Sequence, residues 1–167
     1  MKNSMVQVDI WSDVRCPFCY IGKHNFEAGL EKFQHKDEVE VIWHSFQLDP
    51  ELKTQPDIST VDYFVQVKNV SAEEARQMLG GAQKMASEGG LEMDLERSMV
   101  ANSFKAHQII QLAKEKSLAN ELEEALFKTH FSEGKNIDDE DVLVEAGKSV
   151  GLDSEEIREV LKVEKYA

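Results

Sequence analysis

The stretch Val6-Gln7-Val8-Asp9-Ile10-Trp11-Ser12-Asp13-Val14-Arg15-Cys16-Pro17-Phe18-Cys19-Tyr20-Ile21-Gly22 opens as a strand and closes as a helix, with a cysteine pair at the changeover. Val6, Val8 and Ile10 alternate with Gln7 and Asp9, the period of a strand with one face buried. Beyond the cysteines, Ile21, Phe26, Leu30 and Phe33 return at near-helical spacing, which predicts a helix from Pro17 to about Phe33, slightly weakened by Gly22 and Gly29. Val39 to Phe46 is rich in β-branched and aromatic residues. It is bounded by Lys36-Asp37-Glu38 and Leu48-Asp49-Pro50 and reads as a second strand. Two strands joined by a helical crossover are most simply parallel, so the first fifty residues predict the opening of an α/β sheet.

A strand ending just before Cys-x-x-Cys puts Cys16 at a helix N-terminus and Cys19 one turn further in. The unpaired N–H groups and positive dipole end favour a thiolate at Cys16, and Arg15 is expected to add to that effect. Cys19, more enclosed, then suits the role of a resolving thiol. Pro17 fixes φ at the first helical position and removes an N–H, so Pro17 and Phe18 tune how well the thiolate is held. Two other readings of the pair stay open. A structural zinc site wants four protein ligands, whereas the chain has one Cys-x-x-Cys and five scattered histidines, His24, His35, His44, His107 and His130. An inert structural pair is the third reading. No metal site is expected.

Composition narrows the function classes. The chain has 167 residues, of which 41% are hydrophobic, enough for one domain with a real core. Its net charge is −13, from 32 acidic against 19 basic side chains, which repels phosphate backbones and anionic membrane surfaces. Nucleic acid and membrane are therefore poor partners. Met1 to Met5 carry one lysine and no long apolar run, which resembles no signal peptide and gives a cytoplasmic expectation. Two cysteines cannot form a disulfide scaffold, and a close pair in a reducing compartment points to redox or metal chemistry.

From Pro56 onward strand signals disappear and helix punctuation repeats. Ser71 with Glu74 forms a capping box for a helix to about Ser87, ended by Gly89-Gly90. Asn102 is the expected N-cap of a helix over Ser103 to Lys116, striped by Phe104, Ile109, Ile110 and Ala113. Ala119 to Ser132 is the next helix, with Leu122, Leu126 and Phe127 on one face and Gly134 where a left-handed residue is wanted. Asp138 or Asp139 starts a short helix that Gly151 stops. Asp153 with Glu156 opens the last, through Ile157, Val160 and Leu161. Pro50 and Pro56 divide the chain into residues 1–50, the α/β opening, and 51–167, the helical remainder.

Three segments then carry a specific resemblance. Ser12-Asp13-Val14-Arg15-Cys16-Pro17-Phe18-Cys19-Tyr20-Ile21-Gly22-Lys23 resembles the active-site segment of the FrnE-like branch of the DsbA-type thioredoxin-fold oxidoreductases. Trp43-His44-Ser45-Phe46-Gln47-Leu48-Asp49-Pro50 resembles that family's second strand and exit loop. Asn102-Ser103-Phe104-Lys105-Ala106-His107 and Phe131-Ser132-Glu133-Gly134-Lys135-Asn136-Ile137 resemble marks of its inserted helical domain. The resemblance implies an α/β, thioredoxin-like strand–helix–strand core with a large helical insert over the active site. It implies exchange on protein or small-molecule disulfides in the bacterial cytoplasm, with disulfide isomerisation as a related activity. Cys16 matches the nucleophile and Cys19 the resolving cysteine. Asn102 and His107, with Phe104 nearby, match the insert's side of the substrate cleft. For Asn102 a helix cap, and for His107 a structural histidine, are equally good readings. Met78, Met85, Met93 and Met99 are expected in the core rather than on a client surface.

Relatives of this kind continue into two further strands and a helix entered through a cis-proline loop, and this sequence lacks that segment. The resemblance thus implies a shortened form of a longer protein, with C-terminal core elements absent and an exposed sheet edge that a second copy would cover. Besides dithiol–disulfide exchange without a cofactor, two functions compete. One is a glutathione-dependent isomerase or transferase, for which glutathione is co-substrate and the second cysteine is dispensable. The other is an inactive binding module.

Overall fold

The computed structural model describes residues 5–167 and contains, among them, two strands and seven α-helices. Strand β1 (Val6–Ser12) leads through a tight turn into α1 (Pro17–Glu31), and a single 3₁₀ turn delivers the chain to β2 (Val39–Ser45). The strands pair in parallel, from Val6 opposite Val39 to Ser12 opposite Ser45. Helices α2 (Thr60–Lys68), α3 (Ala72–Glu88), α4 (Phe104–Glu115), α5 (Ala119–Phe131), α6 (Glu140–Ser149) and α7 (Ser154–Val163) make up the rest. This is the mixed α/β architecture that the strand–helix–strand opening and the helical remainder predict.

Four of the seven helices, α2, α3, α6 and α7, begin where a side chain satisfies free N–H groups. Ser71 and Glu74 form the reciprocal capping box of α3. Asp139, not Asp138, caps α6, and Asp153 accepts from the N–H groups of Glu155 and Glu156 to start α7. Helix α2 is an element that the sequence patterns do not assign: Ser59 accepts from Asp62 N–H at its start, and Asn69 closes it in the left-handed region. At α4 the expected N-cap moves by one residue. Ser103 occupies the cap position without a capping bond, while Asn102 Oδ1 accepts from Phe104 N–H at 2.7 Å. Gly134 has φ +67°, and a Cβ there would meet the Arg97 carbonyl oxygen at 2.8 Å, so conformation and close approach both require glycine.

The core lies in the helical part. Ala106, Ile109 and Ala113 of α4, Leu122, Leu126 and Phe127 of α5, Leu143 of α6 and Ile157 of α7 are fully enclosed. The same cluster continues through Tyr20 and Ile21 of α1. Tyr20 stacks on Phe127 with ring centroids 4.7 Å apart, and its hydroxyl donates to Glu124 at 2.8 Å. These contacts seat α5 against α1. The sheet is less covered than its alternation predicts: Val8 and Ile10 are half-buried, and Val6 is exposed, because among the described residues only one neighbouring strand pairs with β1. Trp11, also exposed, stacks on His44 across the strand pair at 4.7 Å. Among the described residues no helix is long and apolar enough to cross a membrane.

Candidate active site

Cys16 occupies the N-cap of α1 in an extended conformation, with Pro17 at the first helical position. A turn aims it there: Cys16 N–H donates to the Asp13 carbonyl at 2.9 Å, while the Cys16 carbonyl accepts from Cys19 N–H at 3.1 Å. Asp13 holds the turn in place. Its carboxylate is almost wholly enclosed and accepts from Arg15 N–H at 3.2 Å, from Leu48 N–H at 2.8 Å and from His107 Nε2 at 3.2 Å. One side chain thus ties the end of β1 to the loop after β2 and to α4. Burial pushes the Asp13 carboxyl up, but these hydrogen bonds, led by that from His107, outweigh it and hold the group below its usual value.

The two cysteines are free thiols, both half-buried, in opposite electrostatic settings. The Cys19 thiol donates to Cys16, which is the largest reason that the Cys16 pKa falls from 9.0 to about 6. Burial opposes that fall, the backbone N–H groups of Cys19 and Phe18 assist it, and the nearby Asp13 carboxylate works against it. The same Cys16 interaction, with burial, pushes Cys19 well up. The helix N-terminus therefore acts as the sequence predicts, through its N–H groups. The charge that acts on Cys16 differs from expectation: Asp13 disfavours the thiolate, and the Arg15 guanidinium is not among the leading influences. Arg15 instead lines the cleft beside the cysteine.

That cleft has a volume of about 490 Å³ and lies between the active-site turn and helices α2 and α3. Cys16, Pro17 and Phe18 line one side; Tyr63, Phe64, Val67 and Met78 line the facing side. Phe18 projects at the mouth with 58% of its surface exposed. Met78 and Met99 also line the cleft, which corrects their expected place in the core; Met85 is exposed, and only Met93 of the four is buried. Apolar clefts of this size hold a small organic molecule or a short peptide segment.

The residues expected on the insert's side of the cleft sit elsewhere. Asn102 and Phe104 line a separate depression with Gln47 and Leu52. Asn102 is a clamp: Nδ2 donates to the Leu52 carbonyl at 2.7 Å, and Oδ1 accepts from Gln47 at 3.1 Å. His107 is buried against Asp13. None of the three lines the cleft at Cys16, since α4 packs behind the turn rather than across from it. Sequence reasoning missed Asp13, whose signal was an Asx-type residue directly after the strand. It also missed His130, which lines the cleft from α5. Complete burial holds the His130 imidazole down to about 4, hence neutral at pH 7, and no sequence signal marked it.

A family model of the DSBA-like thioredoxin domain matches residues 7–167. The uncharacterized protein YwbO of Bacillus subtilis (strain 168) is 32% identical over 162 residues, spanning 96% of this chain and 74% of that protein. The crystal structure of a probable DsbA oxidoreductase from Streptomyces coelicolor superposes with a TM-score of 0.87 at 34% identity, over 93% of this chain and 67% of the other. The cytosolic disulfide reductase DsbM of Pseudomonas aeruginosa shares the fold at a TM-score of 0.62 and 20% identity, over 95% of this chain and 70% of the other. A structure of that reductase with GSH gives 0.64 at 18% identity, over 93% and 72%.

Proposed function

The chain belongs to the DSBA-like thioredoxin domain family, and from that premise we propose that it is a thiol–disulfide oxidoreductase working through Cys16 and Cys19. The observation that carries this reading is the asymmetry of the two thiols, one activated at the helix N-terminus beside an apolar cleft, the other held protonated behind it. Cys16 as thiolate attacks a disulfide sulfur of the client, forming a mixed disulfide and expelling a client thiolate. Cys19 then attacks Cys16 Sγ, closing the Cys16–Cys19 disulfide and releasing the second client thiol. Run backwards, the same steps oxidise a client dithiol.

The cleft supports clients that present an apolar segment next to the reacting sulfur, with Phe18, Met78 and Met99 as adaptable contacts. A small thiol of the glutathione type serves to return the disulfide to the dithiol, and no bound cofactor is needed. The proposed place of action is the cytoplasm. A glutathione-dependent isomerase would have no use for a second thiol bonded to the first, so Cys19 favours the dithiol route.

Two measurements test the reading. Alkylation of Cys16 by iodoacetamide should show a titration with a midpoint near 6, far below an ordinary thiol. The protein should also accelerate reduction of a protein disulfide by dithiothreitol, and Cys16→Ser should remove the acceleration. Equal acceleration by both proteins refutes the assignment. Full activity of Cys19→Ser with glutathione as co-substrate favours the isomerase.

A further inference from the structure

The chain that leaves β2 is fastened on two sides, and the residues between the fastenings wall the cleft at Cys16. At the front, Phe46 N–H donates to the Ser12 carbonyl at 3.0 Å and Leu48 N–H to the Asp13 carboxylate at 2.8 Å. At the back, a single side chain from the segment ahead of α4 takes hold. Asn102 Nδ2 donates to the carbonyls of Leu52 at 2.7 Å and Pro50 at 3.3 Å, while Oδ1 accepts from Gln47 Nε2 at 3.1 Å and from Phe104 N–H at 2.7 Å. Both lone pairs and both N–H groups of the amide are thereby used. Leu48 and Asp49, which lie between the fastenings, line the cleft. Leu48 is 57% exposed, so hydrogen bonds rather than packing decide where this wall stands.

We propose that Asn102 is a positioning residue for the exchange at Cys16: by gripping Gln47, Pro50 and Leu52 from behind, it fixes the Leu48–Asp49 wall of the cleft and keeps Leu48 N–H on the Asp13 carboxylate. The inference rests on the oxidoreductase reading and extends it to a residue that lies outside the cleft. The grip has a firm footing. Asn102 N–H donates to Thr54 Oγ1 at 3.0 Å, and the Thr54 hydroxyl donates in turn to the Asp138 carboxylate beside the N-cap of α6. Gln55 N–H donates to the Val100 carbonyl at 2.8 Å, in an antiparallel bridge. Val100 and Ala101, which directly precede Asn102, themselves line the cleft. One amide thus ties two walls of the cleft together, residues 48–49 and residues 100–101.

Loss of the amide acts on the chemistry by two routes. The front fastenings alone do not hold residues 48–49 at their distance from Phe18 and Met78, and a client segment then fits the cleft less well; small displacements of this kind are costly even when they originate away from the reacting atoms. The second route runs through Asp13. Its carboxylate is almost wholly enclosed, and its charge opposes the Cys16 thiolate. When Leu48 N–H moves off, water reaches the carboxylate and weakens that opposition. Arg15 N–H and His107 still hold Asp13, so the turn that presents Cys16 stays in place.

The test reads both routes. With the disulfide of a short apolar cysteine peptide as client and dithiothreitol as reductant, Asn102→Ala should raise KM about 10-fold while kcat stays near that of wild type. The alkylation midpoint of Cys16 should fall below its wild-type value of about 6. Asn102→Ala should add nothing to the fall that Asp13→Asn produces by itself, because both act through one charge. Asn102→Asp keeps the acceptor for Gln47 and Phe104 but loses the donors to Pro50 and Leu52, and should lie between. Gln47→Ala breaks one bond of the grip; it should move KM and midpoint the same way to a smaller extent, and it decides the matter should Asn102→Ala fail to fold. Leu143→Ala, a core truncation in α6, lowers stability and should move neither. Unchanged KM and midpoint in the Asn102 and Gln47 variants overturn the proposal, as do equal shifts in Leu143→Ala. Absence of turnover in the wild-type protein instead removes the oxidoreductase reading, and the alkylation midpoints then decide on Asn102 by themselves.

Discussion

Asp13 does two opposed things at the candidate active site. Its carboxylate anchors the turn that presents Cys16, through bonds to Arg15, Leu48 and His107. As a negative charge beside the thiolate, it also holds the Cys16 pKa higher than the helix N-terminus alone would set it. Asp13→Asn should therefore shift the alkylation midpoint of Cys16 downward while costing about 1–3 kcal/mol of stability, because amide acceptors satisfy these donors less well. The acid limb of stability should change too. Since the folded-state pKa of Asp13 lies below its ordinary value of 3.8, its stabilising contribution is present above that value and lost as pH falls through the lower, folded one. Urea unfolding across the acid range should show a flatter pH dependence in the variant.

At the scale of elements, the placement of α5 decides how the site is built. Tyr20 of α1 stacks on Phe127 of α5, which is fully enclosed and packs in turn against Phe131 of the same helix. Phe127→Ala should cost about 3–5 kcal/mol, measured by chemical denaturation, from lost transfer energy plus a cavity that the surrounding helices only partly close. Most elements were legible from local signals. The capping box at Ser71, the aspartates ahead of α6 and α7 and the alternation of β1 all act within a few residues. Helix α2 escaped because its apolar face is short and its Ser59 cap stood in a stretch dominated by Pro50 and Pro56. Asn102 carried a true local signal, yet its amide also serves Gln47, Leu52 and Pro50, partners about fifty residues away.

Over the whole molecule, a net charge of −13 surrounds the Cys16 thiol. Cystamine, a dication, should react faster with the reduced protein than a dianionic disulfide such as dithiodiglycolate at low ionic strength. The ratio should shrink in about 1 M salt, where the screening length falls to about 3 Å. Equal rates at both ionic strengths would show that Arg15 and Lys68, on the cleft wall, neutralise the field locally. The sequence by itself determined the cysteine pair, its place at the start of a helix, the parallel strands on either side of that helix and the helical character of the chain beyond Pro56. Those depend on period, caps and spacing, which are written along the chain. Only the tertiary structure decided that Met78, Met99 and His130 face the cleft at Cys16, that Asn102, Phe104 and His107 do not, and that Leu48 and His107 meet the Asp13 carboxylate. Each of these is a contact between segments distant in sequence, fixed by how the helices pack around a common core, and no local pattern encodes such a meeting.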